Sequence, residues 1–209
     1  MLWHKLMGAQ SSQLTPIAYL SHTATDSADA ETVIAAKPSG VQSGDLLIAY
    51  HYCHISDGLN TSVSGWTTLR SAFTASGYFR VFYKLAGESE PTTYSFDGGG
   101  ANQGVVIVAF RGGSASVGVF GTVASAASTS VTATGITPST ESMLLFFSAA
   151  EFTPQYVTDN PSGMTKVFEQ NTTPVVAFYT QQVSAGATGN KSITWAVSAG
   201  NVAVLMSIY

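Results

Sequence analysis

Leu46-Leu47-Ile48-Ala49-Tyr50 and Met143-Leu144-Leu145-Phe146-Phe147 are one strand-like stretch written twice. Each is a short apolar run bounded by polar or chain-breaking residues, which reads as a β-strand. The duplication extends outward from these runs. Gly65-Trp66-Thr67-Thr68 returns as Gly163-Met164-Thr165-Lys166, Val81-Phe82-Tyr83 as Ala177-Phe178-Tyr179, and Tyr94-Ser95-Phe96 as Ile193-Thr194-Trp195. Asn102 with Val105 to Phe110 returns as Asn201 with Val204 to Tyr209. The separations are 98 positions from Trp66 to Met164, 96 from Phe82 to Phe178 and 99 from Asn102 to Asn201. A nearly constant offset over successive segments marks a repeated supersecondary unit.

The rest of the chain reads the same way. Strand candidates fall at about 16–24, 32–36, 46–53, 66–73, 78–85, 92–96, 103–110, 116–123, 129–134, 143–150, 165–169, 174–183, 192–197 and 202–208. Breakers separate them, among them Pro38-Ser39-Gly40, Asp97-Gly98-Gly99-Gly100 (read as a hairpin turn) and Asn160-Pro161-Ser162-Gly163. No window longer than about a dozen residues keeps a 3.6-residue period. Short helical turns are conceivable only near Ala28 to Val33 and Val123 to Ala127. The fold class is therefore all-β: a two-sheet antiparallel β-sandwich, jelly-roll-like, built from two degenerate five-strand repeats. Residues 1–16 are expected to form an N-terminal arm and 17–209 one sandwich domain. Within it, repeat one spans about 32–112, a Ser/Ala/Thr-rich connector 113–140 and repeat two 141–209. Phe82, Val106, Val108, Leu145, Phe178 and Leu205 are expected in the core.

Composition narrows function. Charged residues are 10% of the chain, eight basic and twelve acidic, for a net charge of −4. Scattered basic residues give no electrostatic footprint for nucleic acid and no polybasic membrane patch. So little charge implies a surface partly covered by partners. The single cysteine, Cys53, allows no internal disulfide. The opening Met1 to Met7 is too short and polar for a signal peptide core or a membrane span, so release within a particle is the expected route to any site outside a cell. Its apolar residues Leu2, Trp3, Leu6 and Met7 have two readings: Trp3 caps the chain's own core, or the arm is an assembly anchor on a neighbouring subunit.

Candidate chemistry is sparse. His51-Tyr52-Cys53-His54 gathers reactive side chains, but a strand puts His51 and Cys53 on one face and His54 on the other. Zinc needs four convergent ligands, so no metal and no cofactor is expected. The acids Glu88, Glu90 and Asp97 read as solvated turn residues. No nucleotide, hydrolase or metalloprotease motif is present, and the chain is expected not to be an enzyme. Trp66, Tyr78, Tyr156 and Trp195 are candidate ligand-stacking aromatics for a host-surface glycan, with core packing as the competing reading for the two tryptophans.

The run Pro38…Gly44-Asp45-Leu46-Leu47-Ile48, then Gly65-Trp66, Tyr83-Lys84, Glu90-Pro91, Tyr94-Ser95-Phe96 and Val106 to Arg111-Gly112 resembles β-sandwich modules of tailed-bacteriophage virion proteins. These modules occur in tail-fibre, tail-tip and capsid-decoration proteins. The opening Met1-Leu2-Trp3-His4-Lys5 is similar to the start of some phage structural proteins. The resemblance covers residues 30–112 well and the second copy less well, with Glu141-Ser142 replacing Gly44-Asp45 and Met164 replacing Trp66. It implies a virion location, other virion proteins as partners and a homo-oligomer, with a trimer favoured; it offers no catalytic residues to transfer. A lectin-like module and a hydrolase with paired carboxylates remain as readings from other classes.

Overall fold

The computed structural model describes residues 15–54, 62–74, 77–151, 156–172 and 174–209, without the side chains of 28–30 and 98–101. The arm residues Leu2, Trp3, Leu6 and Met7 lie outside the described residues. The chain is all-β: among the described residues there is no helix and about two thirds are strand. Twelve strands run β1 (Ala18–Ala36), β2 (Leu46–Cys53), β3 (Thr67–Thr74), β4 (Gly77–Leu85), β5 (Thr93–Arg111), β6 (Val117–Phe120), β7 (Ala124–Ala133), β8 (Ser142–Ala150), β9 (Val157–Asp159), β10 (Thr165–Gln170), β11 (Val175–Val183) and β12 (Lys191–Ile208).

Each copy builds its own antiparallel sheet, in the same strand order. Copy one runs β1-β5-β2-β4-β3. Copy two runs β10-β11-β8-β12-β6, with β7 also on β12, which is the same order read from the other end. Leu46 to Tyr50 and Met143 to Phe147 occupy equivalent central strands, β2 between β4 and β5 and β8 between β11 and β12. The Ser/Ala/Thr-rich stretch between the copies carries the strands expected at 116–123 and 129–134. They are β6 and β7, which line β12 as β1 lines β5. Copy one correspondingly begins with β1, earlier than residue 32.

Two offsets are also corrected. Leu46 pairs with Phe110 and Met143 with Ile208, so Phe110 matches Ile208 and not Tyr209. Ala49 pairs with Phe82 and Phe146 with Tyr179, so Phe82 matches Tyr179 and not Phe178. A one-residue slip moves a strand residue to the opposite face. Phe82 indeed faces outward from its sheet while Phe178 faces the other sheet, and all six expected core residues are buried.

Three apolar layers hold four sheets of backbone. The central layer, with Ile48, Tyr50, Val108, Leu145, Phe147 and Val204, lies between the two sheets. The outer layers arise because β1, β5 and β12 are long and fold over. Residues 32–36 of β1 and 93–97 of β5 form a ribbon that returns across the back of its own sheet. Thr23 Oγ1 donates to Ala36 O and Ser21 Oγ to Ser39 O, which pins the ribbon down. Val33, Tyr94 and Phe96 thereby cover Leu47, Ala49 and Phe82. In copy two, Val131, Ile193 and Trp195 cover Leu144, Phe146 and Tyr179. Strand candidates separated in the sequence are thus halves of single bent strands. The Asp97 to Gly100 run is the fold in β5 and not a hairpin turn, and glycine tolerates such a bend. The two stretches read as helical turns are strand.

The sheets face each other about a pseudo-twofold axis. Tyr50 stacks on Phe147, its own counterpart, with ring centres 4.2 Å apart and planes 3° apart. His22 of β1 stacks on Phe168 of β10 at 4.3 Å. On the opposite side the Arg70 guanidinium of β3 sits 5.6 Å over the Phe120 ring of β6. Truncating Phe147 to Ala removes a buried aromatic from the axis and is expected to cost about 3–5 kcal/mol in chemical denaturation. A Tyr50→Ala/Phe147→Ala double-mutant cycle is expected to return a coupling of about 0.5–1.5 kcal/mol; additive losses would show that the stacked pair is not a unit.

Candidate functional site

The sandwich has two unlike ends. The strand ends at Cys53, Ala150, Thr74 and Val175 form one, and both described chain termini mark the other.

At the first end, β2, β4 and β5 bring His51, Arg80 and Gln103 together beneath the fold of the ribbon. All three are buried. Arg80 Nη2 donates to His51 Nδ1 at 2.9 Å and to the Asp97 carbonyl. His51 therefore carries its proton on Nε2 and donates it to Gln103 Oε1 at 3.0 Å. Burial, reinforced by the Arg80 charge, pushes the His51 imidazole down to about 3. It is neutral, edge-on to Phe96, and sealed from solvent. The matched positions in copy two are Ser148, Ala177 and Asn201, small or uncharged, so this network belongs to copy one alone. Nearer the surface, His54 Nε2 lies 3.0 Å from Glu151 Oε1. These too are matched positions: His54 N donates to Asn102 O and Glu151 N to Gly200 O. The Glu151 carboxyl lies against Gly200, 2.5 Å from where a Cβ would stand, so a larger residue there would push the carboxylate aside. Among the described residues, no group of three or more His, Cys, Asp or Glu side chains is placed to hold a metal ion.

The aromatics do not form a platform. Trp195 is 1% exposed and Trp66 8%, so the expectation that they stack on a ligand is corrected: both indoles fill the outer apolar layers. Trp66 packs edge-on to Tyr94 at 5.2 Å, with Lys84 over both rings. Tyr156 stays exposed, and Tyr78 is partly exposed beside Phe73. The Phe73 and Tyr78 rings lie 5.0 Å apart but tilted by 47°, so the two do not form one coplanar surface. Glu90 is also corrected. It accepts from Lys84 Nζ, Tyr94 Oη and Gly87 N and clamps its turn instead of lying solvated.

The second end differs between copies. In copy one, Arg111 donates two hydrogen bonds to Asp45, at 2.8 and 2.7 Å, and a third to Gly40 O. The guanidinium holds the Asp45 carboxyl below its usual range. The matched residues in copy two are Tyr209 and Ser142, which make no such pair. Here a groove of about 400 Å3 opens, with a mainly apolar wall running from Thr15, Pro16 and Ile17 past Gly113 and Ser114 to Ser142 and Tyr209. Gly113 has a φ of 61° and sits where a Cβ would meet the Tyr209 backbone at 2.7 Å, so the groove floor depends on glycine. Sequence patterns did not mark this groove, since its wall is made of termini and turn residues without periodicity.

Comparison with known proteins finds no matching family model, no similar characterised protein and no similar solved structure.

The His51 network makes stability depend on pH. In the unfolded chain an imidazole binds a proton below about pH 6.5, while folded His51 stays neutral down to about 3. The unfolded state therefore binds more protons across that window. The contribution is fully present above pH 6.5 and is lost steadily toward pH 3, with a slope of up to about 1.4 kcal/mol per pH unit. His22, lowered by burial, acts in the same direction. Denaturant titrations from pH 7 to 4 are expected to show this slope and His51→Gln to flatten it; an unchanged slope in the variant would place the acid sensitivity elsewhere.

Proposed function

We propose that this chain is a structural protein of a tailed-phage virion, working in the tail-fibre or tail-tip apparatus, with the capsid surface as the second address. It acts by shape and by assembly contacts, as a homo-oligomer for which a trimer is the favoured count. The observation that carries the reading is how the polar side chains are used. His51, Arg80, Gln103, Asp45, Arg111, Lys84 and Glu90 bond one another or backbone and stiffen the body. The four-layered slab they brace has a surface with little charge and with exposed Ile34, Phe73, Leu85, Tyr156 and Val197. The resemblance of residues 30–112 to virion modules supports the same reading. A lectin-like reading loses two of its four aromatics to the core.

Immunogold labelling or electron microscopy of assembled particles tests this address. The chain is expected at the tail, and light scattering of the purified protein is expected to return a mass of several chains. A monomer that is absent from particles would sink the proposal.

A further inference from the structure

The groove beside Tyr209 is open where its counterpart is closed by an ion pair, and the chain's own N-terminal segment begins at its rim. We propose that this groove is the seat of the N-terminal segment of a neighbouring copy, with Leu6 and Met7 as the inserted residues. The inference rests on the assembly reading above and names the receptor for the anchor.

Four observations carry it. The first is direction. Ile17 is locked into the central core, Gln182 Nε2 donates to its carbonyl, and Gly113 N donates to Thr15 O. β1 then runs away from this end of the sandwich. The residue before a proline favours an extended backbone, and Thr15 and Pro16 themselves line the groove, so the segment before them joins the body at the groove rim.

The second is reach and composition. Fourteen residues precede Thr15. Fully extended they span about 46–50 Å. Leu2, Trp3, Leu6 and Met7 are separated from the rim by Gly8-Ala9-Gln10-Ser11-Ser12-Gln13, a small polar spacer.

The third is fit. A volume of about 400 Å3 lies within the range of pockets that hold ligand-sized groups, and its mainly apolar wall suits a Leu-Met pair. Glu141 at the rim is exposed and offers a charge to Lys5, the neighbour of Leu6.

The fourth is symmetry. Segment and groove are different patches of one surface, so the contact is heterologous, and such contacts close into rings when the rotation allows. That is the geometry a trimer needs.

The test uses two full-length chains, one carrying Leu6→Cys and the other Ser114→Cys; Cys53 is fully buried and stays out of the reaction. Mixed and gently oxidised, they are expected to form a disulfide between the two chains, at least tenfold more than Leu6→Cys with Thr172→Cys at the opposite end. Ser114→Trp, at an exposed rim position, is expected to keep the melting temperature and shift the oligomer toward monomer in light scattering. A link formed only within single chains of the Leu6→Cys/Ser114→Cys double variant would overturn the proposal in favour of a self-docked arm. Oligomers that persist in particles without the cross-link would overturn the groove assignment alone. A monomeric protein missing from particles would overturn both this and the assembly reading.

Discussion

Everything in this structure depends on one contact, the stacking of Tyr50 on Phe147 at 4.2 Å. The two residues occupy the same position in their respective copies. A residue meets its own equivalent only on a twofold axis, as at the centre of an isologous dimer interface. Once that contact is made, the rest of the packing follows in pairs. β1 must lie over β10 and β3 over β6, and the structure supplies one ring contact on each side: His22 on Phe168, and Arg70 over Phe120. The central core then draws equally on both sheets. The gain from stacking itself is modest, roughly 1 kcal/mol beyond burial. Its importance is geometric, because alternation along β2 and β8 leaves one register in which Leu46, Ile48 and Tyr50 meet Met143, Leu145 and Phe147.

Against that symmetry, the differences between copies carry information. The repeat tolerates apolar exchange in its core, such as Val81 for Phe178 or Phe82 for Tyr179, because volume and patterning matter more than identity. The polar positions diverge more sharply. His51, Arg80 and Gln103 face Ser148, Ala177 and Asn201 across the pseudosymmetry, and Asp45 with Arg111 faces Ser142 with Tyr209. A buried guanidinium is tolerated only with its acceptors in place, so the copy-one network had to appear or vanish as a set. His54 and Glu151 show the third outcome. One position, duplicated, has become a histidine and a glutamate whose side chains meet 3.0 Å apart between the sheets. An identical pair of carboxylates there would repel; the divergence turns that approach into a tie between the sheets.

The fold was legible because β-structure has a period of two and the duplication repeats it. Leu46 to Tyr50 against Met143 to Phe147 fell in register from sequence alone. Two other matches slipped by one residue, since Phe82 and Phe178 are both phenylalanines and identity outweighed pairing. The offset differs between strands because turns and bulges differ in length, and only hydrogen-bonded partners reveal it. Long bent strands were illegible for a related reason. Asp97 to Gly100 has the composition of a turn, yet the ladder between β1 and β5 resumes beyond it. Trp66 and Trp195 read as core more readily than as a ligand platform, and the folded-over ribbons are what bury them. The groove beside Tyr209 had no signature, because it is defined by what Ser142 and Tyr209 lack relative to Asp45 and Arg111.

Duplication also explains why one end of the body is free to specialise. Fusing two copies in one chain buries the isologous face permanently, so that face no longer constrains assembly with other chains. The outer backs are covered by each copy's own ribbon. What remains for partners is the outer side of the ribbons, with exposed Ile34 and Val197, the edge strands β1, β3, β6 and β10, and the two ends around His54 and Glu151 and around the groove. β3 shows solvent Thr67, Thr68 and Arg70 at one end, polar groups of the kind that resist pairing with stray strands, and Phe73 at the other. The axis end is tied by the His54–Glu151 contact. The groove end combines an open apolar concavity with the entry of Thr15 and Pro16 into the body, and where copy one sets the Asp45–Arg111 pair, copy two sets Ser142 and Tyr209 in its wall.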